Sequence, residues 1–157
     1  GALAGLLPPE QIVAEPAKRD TAAAAALATG LVRARDPLGI LALLPADAYI
    51  KDTATFAKQL RLGLHRASQT SALLTFAIKP SHAATAFGYL KLDGAVNSGN
   101  AGFQRVVKFV EKPDPATAAR DVASGEFAWN AGMFMWSVDG FLAETEIHTP
   151  KLAKYIR

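Results

Sequence analysis

The sequence predicts an α/β fold, a Rossmann-like, mostly parallel mixed sheet flanked by helices. Three observations carry this. Gly39–Leu44 and Ala72–Ile78 are apolar without alternation, as strands covered on both faces are. Helical patterns with Asp or Thr at their starts lie between such runs. The resulting alternation of helix and strand calls for crossover connections, and ligands of open sheets of this kind sit beyond the carboxyl ends of the strands.

The first helix is expected through Ala22–Ala28 and Leu31–Ala34, with Asp20 or Thr21 as its cap, Gly30 a tolerated weakness and Pro37 beyond its end. Pro45 then stops the strand Gly39–Leu44. Asp52 or Thr53 opens a second helix, in which Phe56, Leu60 and Leu64 recur every four residues while Lys58, Arg61 and Arg66 face out. After the strand Ala72–Ile78, Phe87–Leu92 and Phe103–Val110 form a hairpin-like pair around a polar, glycine-rich excursion. Asp114 as N-cap, Pro115 at the first helical position and Gly125 at the end define a third helix. Ala131–Val138 returns as a strand, Asp139 opens another helix, and Pro150 begins a last one that runs to Arg157.

A chain of 157 residues, 50% of them hydrophobic, can bury one real core. The net charge of +3 is modest and its 17 Lys and Arg are scattered, which argues against nucleic acid and leaves small anions as partners. Without cysteine there is no disulfide framework and no thiolate metal site, a composition compatible with the cytoplasm. The apolar N-terminal stretch lacks the basic segment of a signal peptide and reads as part of the fold. No run approaches the ~20 apolar residues of a membrane span. His65, His82 and His148 lack metal-ligand spacing, and no nucleophile elbow, Walker loop or dinucleotide fingerprint occurs.

The chemistry gathers in a few segments. Phe109-Val110-Glu111-Lys112-Pro113 and Trp129-Asn130-Ala131-Gly132-Met133-Phe134 set a carboxylate, an ammonium and a carboxamide beside apolar runs. A carboxylate accepts from vicinal hydroxyls, an ammonium neutralises phosphate, and a carboxamide both donates and accepts. Successive strand residues point to opposite faces, so Glu111 and Lys112 reach one ligand only where the strand ends, and Pro113 supplies that end. An exposed Glu–Lys ion pair remains the plain alternative. Gly132 permits close backbone approach or simply turns the chain into a strand. Trp129 and Trp136 read as packing residues.

This pair of motifs resembles the sugar-binding half of the sugar-1-phosphate nucleotidyltransferases, within them the mannose-1-phosphate guanylyltransferase branch. Three further segments fit in the same chain order: Glu15-Pro16-Ala17-Lys18-Arg19-Asp20-Thr21-Ala22, Leu44-Pro45-Ala46-Asp47 and Thr85-Ala86-Phe87-Gly88-Tyr89-Leu90. Each is weak alone, whereas the ordered set covers most of residues 12 to 150.

The resemblance implies a nucleotide-diphospho-sugar transferase fold and transfer of a nucleotidyl group from GTP to mannose 1-phosphate, with Mg²⁺ as cofactor. By resemblance, Arg19, Asp20 and Thr21 line the base and ribose pocket, with Asp20 where the family commonly has Asn. Asp47 ligates the metal, although Ala48 stands where the family often has His. Gly88, Tyr89, Glu111, Asn130 and Gly132 hold the sugar and Lys112 its phosphate, which makes Asp47 and Lys112 the catalytic pair. Asp47 as a turn cap and Asp20 as a helix cap are the competing readings of those carboxylates. The family also begins with a glycine-rich loop and carries a second metal-binding Asp. Residues 1–157 match neither, so the expectation is a partial catalytic domain, weak on its own. Another nucleoside diphosphate-sugar pyrophosphorylase and a noncatalytic sugar-nucleotide-binding module are the alternatives, and a homo-oligomer is compatible with either.

Overall fold

Helices and strands follow the expected order, and what differs is the direction of the strands. The computed structural model describes residues 5, 7–15, 17, 19–96 and 102–156. Its helices are α1 (Thr21–Arg35), α2 (Thr53–Gln69), α3 (Pro115–Ser124), α4 (Val138–His148) and α5 (Pro150–Ala153). Its strands are β1 (Ile40–Leu43), β2 (Leu74–Ile78), β3 (Tyr89–Leu92), β4 (Val106–Val110) and β5 (Phe127–Ser137). α5 is shorter than expected, and Arg157, like the loop 97–101, lies outside the described residues.

All five strands share one sheet, as expected, but every paired neighbour is antiparallel. The expectation of a mostly parallel sheet is therefore corrected. The cause is β5, which runs against β1, β2 and β3 and pairs with each of them. β1 and β2 do run in the same direction, but β5 separates them. Nor are these strands covered on both faces: Ile40 and Ala42 of β1 and Ala77 and Ile78 of β2 are exposed, so the unbroken apolar pattern set neither two-sided burial nor direction.

β5 starts four residues earlier than Ala131, at Phe127, and gives Val138 to α4. The cap of α4 is the Ser137 hydroxyl, which accepts from the Gly140 amide at 3.2 Å, so Asp139 lies inside the helix and not at its cap. β1 and β2 both pair with Phe134 and Met135, so they take opposite edges of β5. β2 and β3 both pair with Trp129 and are likewise opposed. β1 and β3 consequently share one edge of β5, end to end, with residues 130–133 facing the gap between them.

Buried tethers fix this frame. On the face toward α1 and α4, Ala25, Ala26, Leu41, Trp136, Val138, Phe141 and Ile156 form one cluster. The Trp136 indole donates to the Thr29 hydroxyl at 2.9 Å, and that hydroxyl donates to the Ala25 carbonyl at 2.7 Å, which ties α1 to the middle of the sheet. Small residues bring α2 close to β5, and a Cβ on Gly63 would run into the Met135 thioether.

The caps of α2 and α3 are as the sequence indicates. The Asp52 carboxylate accepts from the Thr55 amide at 2.9 Å. Asp114 accepts from the amides of Ala116 and Thr117 and from the Thr117 hydroxyl at 2.7 Å. Gly125 closes α3 at φ 71°. Bonding from the Thr117 hydroxyl, then from its amide, holds the Asp114 carboxyl below the usual carboxylate range. A depressed folded pKa gives stability that is complete above the unfolded value and is lost as pH falls through the folded one. We expect Asp114→Ala to lower the melting temperature by a few degrees at neutral pH. The gap from the unsubstituted protein should close in acid, and a gap independent of pH would remove this assignment.

Candidate functional site

The registers bring the chemistry to the gap between β1 and β3. The C-terminal end of β1 points into it, and Asp47 follows Leu43 by four residues, in an exposed turn. From the other side come Gly88, which precedes β3, and Glu111, which follows β4, since Val110 pairs with Tyr89 and Tyr89 with Trp129. β5 supplies the floor. Between Thr75↔Phe134 and Ala77↔Asn130, β2 advances two residues while β5 advances four, so β5 bulges there. Gly132 lies in this bulge at φ 68°, a left-handed conformation that suits glycine. Nothing lies within 4 Å of where its Cβ would stand, so conformation explains this glycine better than close approach by neighbouring protein does.

Around the bulge, the Asn130 amide donates to the Gly88 carbonyl at 2.8 Å. A Cβ on Gly88 would stand 2.7 Å from the Phe109 ring and 3.1 Å from Glu111 Oε2. The absence of a side chain at Gly88 thus seats the Glu111 carboxylate. Lys112 Nζ lies 3.3 Å from Glu111 Oε1, with both side chains more than half exposed. As an ion pair in water it contributes at most ~1 kcal/mol. The backbone says more, because Lys112 sits at φ 40° and is the one described residue other than glycine at positive φ. A residue with a Cβ loses about 1 kcal/mol or more there, and such positions cluster at ligand sites. Buried Pro113 and the capped α3 immediately after it hold that turn.

The Tyr89 side chain belongs to the core. It is fully buried, and its hydroxyl donates to the Ala84 carbonyl at 2.8 Å. Its side chain therefore anchors the segment leading to Gly88 and is not available to a sugar. Trp129 is also core, packed between His82 and Phe87 with ring centroids 5.0 Å away in each case. Its indole nitrogen is the one buried side-chain polar atom without a partner among the described residues. Thr75 escaped the sequence reading. Its hydroxyl lies 2.8 Å from Asn130 Oδ1 and 3.0 Å from the Met133 carbonyl, and no local pattern announces a partner 55 residues away.

Arg19, Asp20 and Thr21 are exposed at the start of α1, a helix that packs on α4, α5 and β1. Asp20 occupies the N-cap position, but its side chain makes no capping bond, so its carboxylate stays available to a ligand. Pro16 and Lys18 of the same segment lie outside the described residues. Among the described residues no three acidic, His or Cys side chains gather as a metal cage. Magnesium needs none: one exposed carboxylate such as Asp47 fits an ion that keeps its remaining positions for water and phosphate oxygens.

The profile of the nucleotidyl transferase family matches residues 7–157. The chain belongs to that family. It is 39% identical over 147 residues to the xanthan biosynthesis protein XanB of Xanthomonas campestris, covering 92% of this chain and 30% of that protein. It is 37% identical to the mannose-1-phosphate guanylyltransferase RfbM of Salmonella typhimurium, covering 91% and 29%. A solved structure from Thermus thermophilus, described as a mannose-1-phosphate geranyltransferase, superposes with a TM-score of 0.80 at 26% identity, covering 92% of this chain and 41% of that one. The chain thus spans about 30% of the length of the curated relatives it matches.

Gly88 offers a local test within this family frame. If Glu111 contacts a sugar 1-phosphate, Gly88→Ala should weaken that binding roughly tenfold, because the added methyl must displace the Phe109 ring or the Glu111 carboxylate. Calorimetric titration would show it, and unaltered affinity would mean that Glu111 is not held by this contact.

Proposed function

We propose that the full-length protein transfers a guanylyl group from GTP to mannose 1-phosphate, giving GDP-mannose and pyrophosphate. The observation that carries this reading is the run of contacts from Asn130 in the bulge of β5 through Gly88 to Glu111 and Lys112, with Lys112 in a conformation that ordinary loops avoid. Relatives named mannose-1-phosphate guanylyltransferase support the choice of substrates. Glu111 accepts from sugar hydroxyls, Asn130 bonds the sugar, and Lys112 neutralises its phosphate. Arg19, Asp20 and Thr21 receive the base and ribose.

In the reaction an oxygen of the sugar phosphate forms a bond to the α-phosphorus of GTP. The bond from that phosphorus to the bridging oxygen breaks, and pyrophosphate leaves with the electron pair. No general base is required, since the attacking phosphate is already ionised. The work is positioning and charge neutralisation. Asp47 is the carboxylate that would hold Mg²⁺, which supplies neutralisation of the phosphate oxygens when bound. We place this chemistry in the cytoplasm, where nucleotide substrates are found.

Pyrophosphate release by the full-length protein tests the reading, with GTP and mannose 1-phosphate set against other nucleotides and hexose phosphates. Preference for that pair supports it. Preference for another pair would move the protein to a different pyrophosphorylase, and binding without turnover would make it a noncatalytic module.

A further inference from the structure

We propose that Thr75 is a positioning residue that, with the Gly132 amide, locks the Asn130 carboxamide so that it meets the sugar phosphate as a donor only. The inference rests on the reading of Asn130 as a sugar contact and adds its polarity. Thr75 Oγ1 lies between two acceptors, Asn130 Oδ1 at 2.8 Å and the Met133 carbonyl at 3.0 Å. A hydroxyl has one proton, so these two bonds alone permit either orientation of the carboxamide: with the hydroxyl turned to Met133, a flipped Asn130 could donate to it.

The Gly132 amide breaks that degeneracy. It lies 3.2 Å from Asn130 Oδ1 and can only donate, so the atom facing it has to be an oxygen. The contact reaches back two residues inside the bulge of β5, from the Gly132 backbone to the Asn130 side chain. With Oδ1 held from both sides, the NH₂ group remains for the ligand, on a residue partly open to solvent. Two N–H donors select an acceptor. The ligand atom opposite Asn130 is therefore a hydroxyl oxygen approached on its lone pairs, or a phosphate oxygen, and never a donating hydroxyl.

The experiment uses the full-length protein with Thr75→Val, which keeps the shape and removes the hydroxyl, and Thr75→Ser, which restores it. Mannose 1-phosphate affinity is read by calorimetry, and the side-chain NH₂ signals of ¹⁵N-labelled Asn130 by NMR. Expected are a roughly five- to twentyfold loss for Thr75→Val, near-complete recovery in Thr75→Ser, and unchanged GTP affinity. The Asn130 NH₂ signals should shift on adding mannose 1-phosphate to the unsubstituted protein. Thr75→Val binding as well as the unsubstituted protein, or NH₂ signals indifferent to a ligand that does bind, would overturn the inference. If the unsubstituted protein binds no mannose 1-phosphate, the proposed function falls by itself. The orientation is then judged in the free protein: Asn130 NH₂ signals displaced in Thr75→Val and restored in Thr75→Ser sustain the lock, and unchanged signals refute it.

Discussion

Asp47→Asn in the full-length protein is expected to cut turnover by about 10²-fold or more while the melting temperature hardly moves. Asn keeps the shape of the side chain and most of its capacity to close a turn, but it removes the negative charge that would hold a divalent cation against nucleotide phosphates. Each ~1.4 kcal/mol of lost transition-state stabilisation is a factor of ten in rate, and charge neutralisation of a transferring phosphoryl group is worth several kcal/mol. Asp47 is exposed in the turn that β1 delivers to the gap in the sheet, so little packing depends on it. A residue that only shaped that turn would give the reverse pattern, a loss of stability of up to ~2 kcal/mol with near-normal rates. Mn²⁺ binding in the presence of GTP gives a readout independent of turnover, and it should weaken in the same variant. Normal rates with unchanged dependence on the metal would remove Asp47 from the site.

That the end of β1 and the start of β3 face one gap along β5 is where sequence reasoning stops. Caps and breakers are local, so the starts of α2 and α3 and the left-handed Gly125 were legible from Asp52, Asp114-Pro115 and Gly125 themselves. Strand direction is not local. Gly39–Leu44 and Ala72–Ile78 read as buried on both faces, and they do run in the same direction, yet β5 lies between them and reverses every pairing. The bulge that brings Asn130 and Gly132 to face β3 and the end of β1 arises from a two-residue mismatch against β2, which only the paired registers reveal.

The individual site residues divide the same way. Glu111, Lys112 and Asn130 drew attention through side-chain types that can carry such chemistry and Gly88 through the motif around it, and the structure sets Gly88 against both Glu111 and Asn130. The Tyr89 side chain went unplaced because aromatic residues next to a glycine read alike whether they face a ligand or the core, and here burial and the Ala84 carbonyl claim it. Thr75 was invisible because a threonine in a strand is ordinary β-propensity until its partner is known.

Lys112 separates charge from conformation, and three substitutions divide the two. Lys112→Ala removes the ammonium but leaves a Cβ at φ 40°, so the strain persists while the phosphate contact disappears. A charge-assisted hydrogen bond of this kind is worth on the order of 1.5–3 kcal/mol, which predicts a roughly ten- to hundredfold loss in kcat/KM for mannose 1-phosphate with GTP affinity nearly unchanged. Lys112→Gly loses the same charge but relieves the backbone, so it should equal Lys112→Ala in its kinetic defect and exceed it in stability by about 1 kcal/mol. Lys112→Arg keeps the charge on a longer, planar head and should retain part of the activity. The Glu111 partner is too exposed for its loss to matter to folding, so none of the three should unfold the protein. Steady-state kinetics with each substrate varied, beside thermal melts of the same preparations, decide the matter. If GTP affinity fell as far as that for the sugar phosphate, Lys112 would belong to the nucleotide. If Lys112→Gly were no more stable than Lys112→Ala, the left-handed turn would carry no strain, and the argument that the fold holds this lysine in place for a ligand would lose its physical basis.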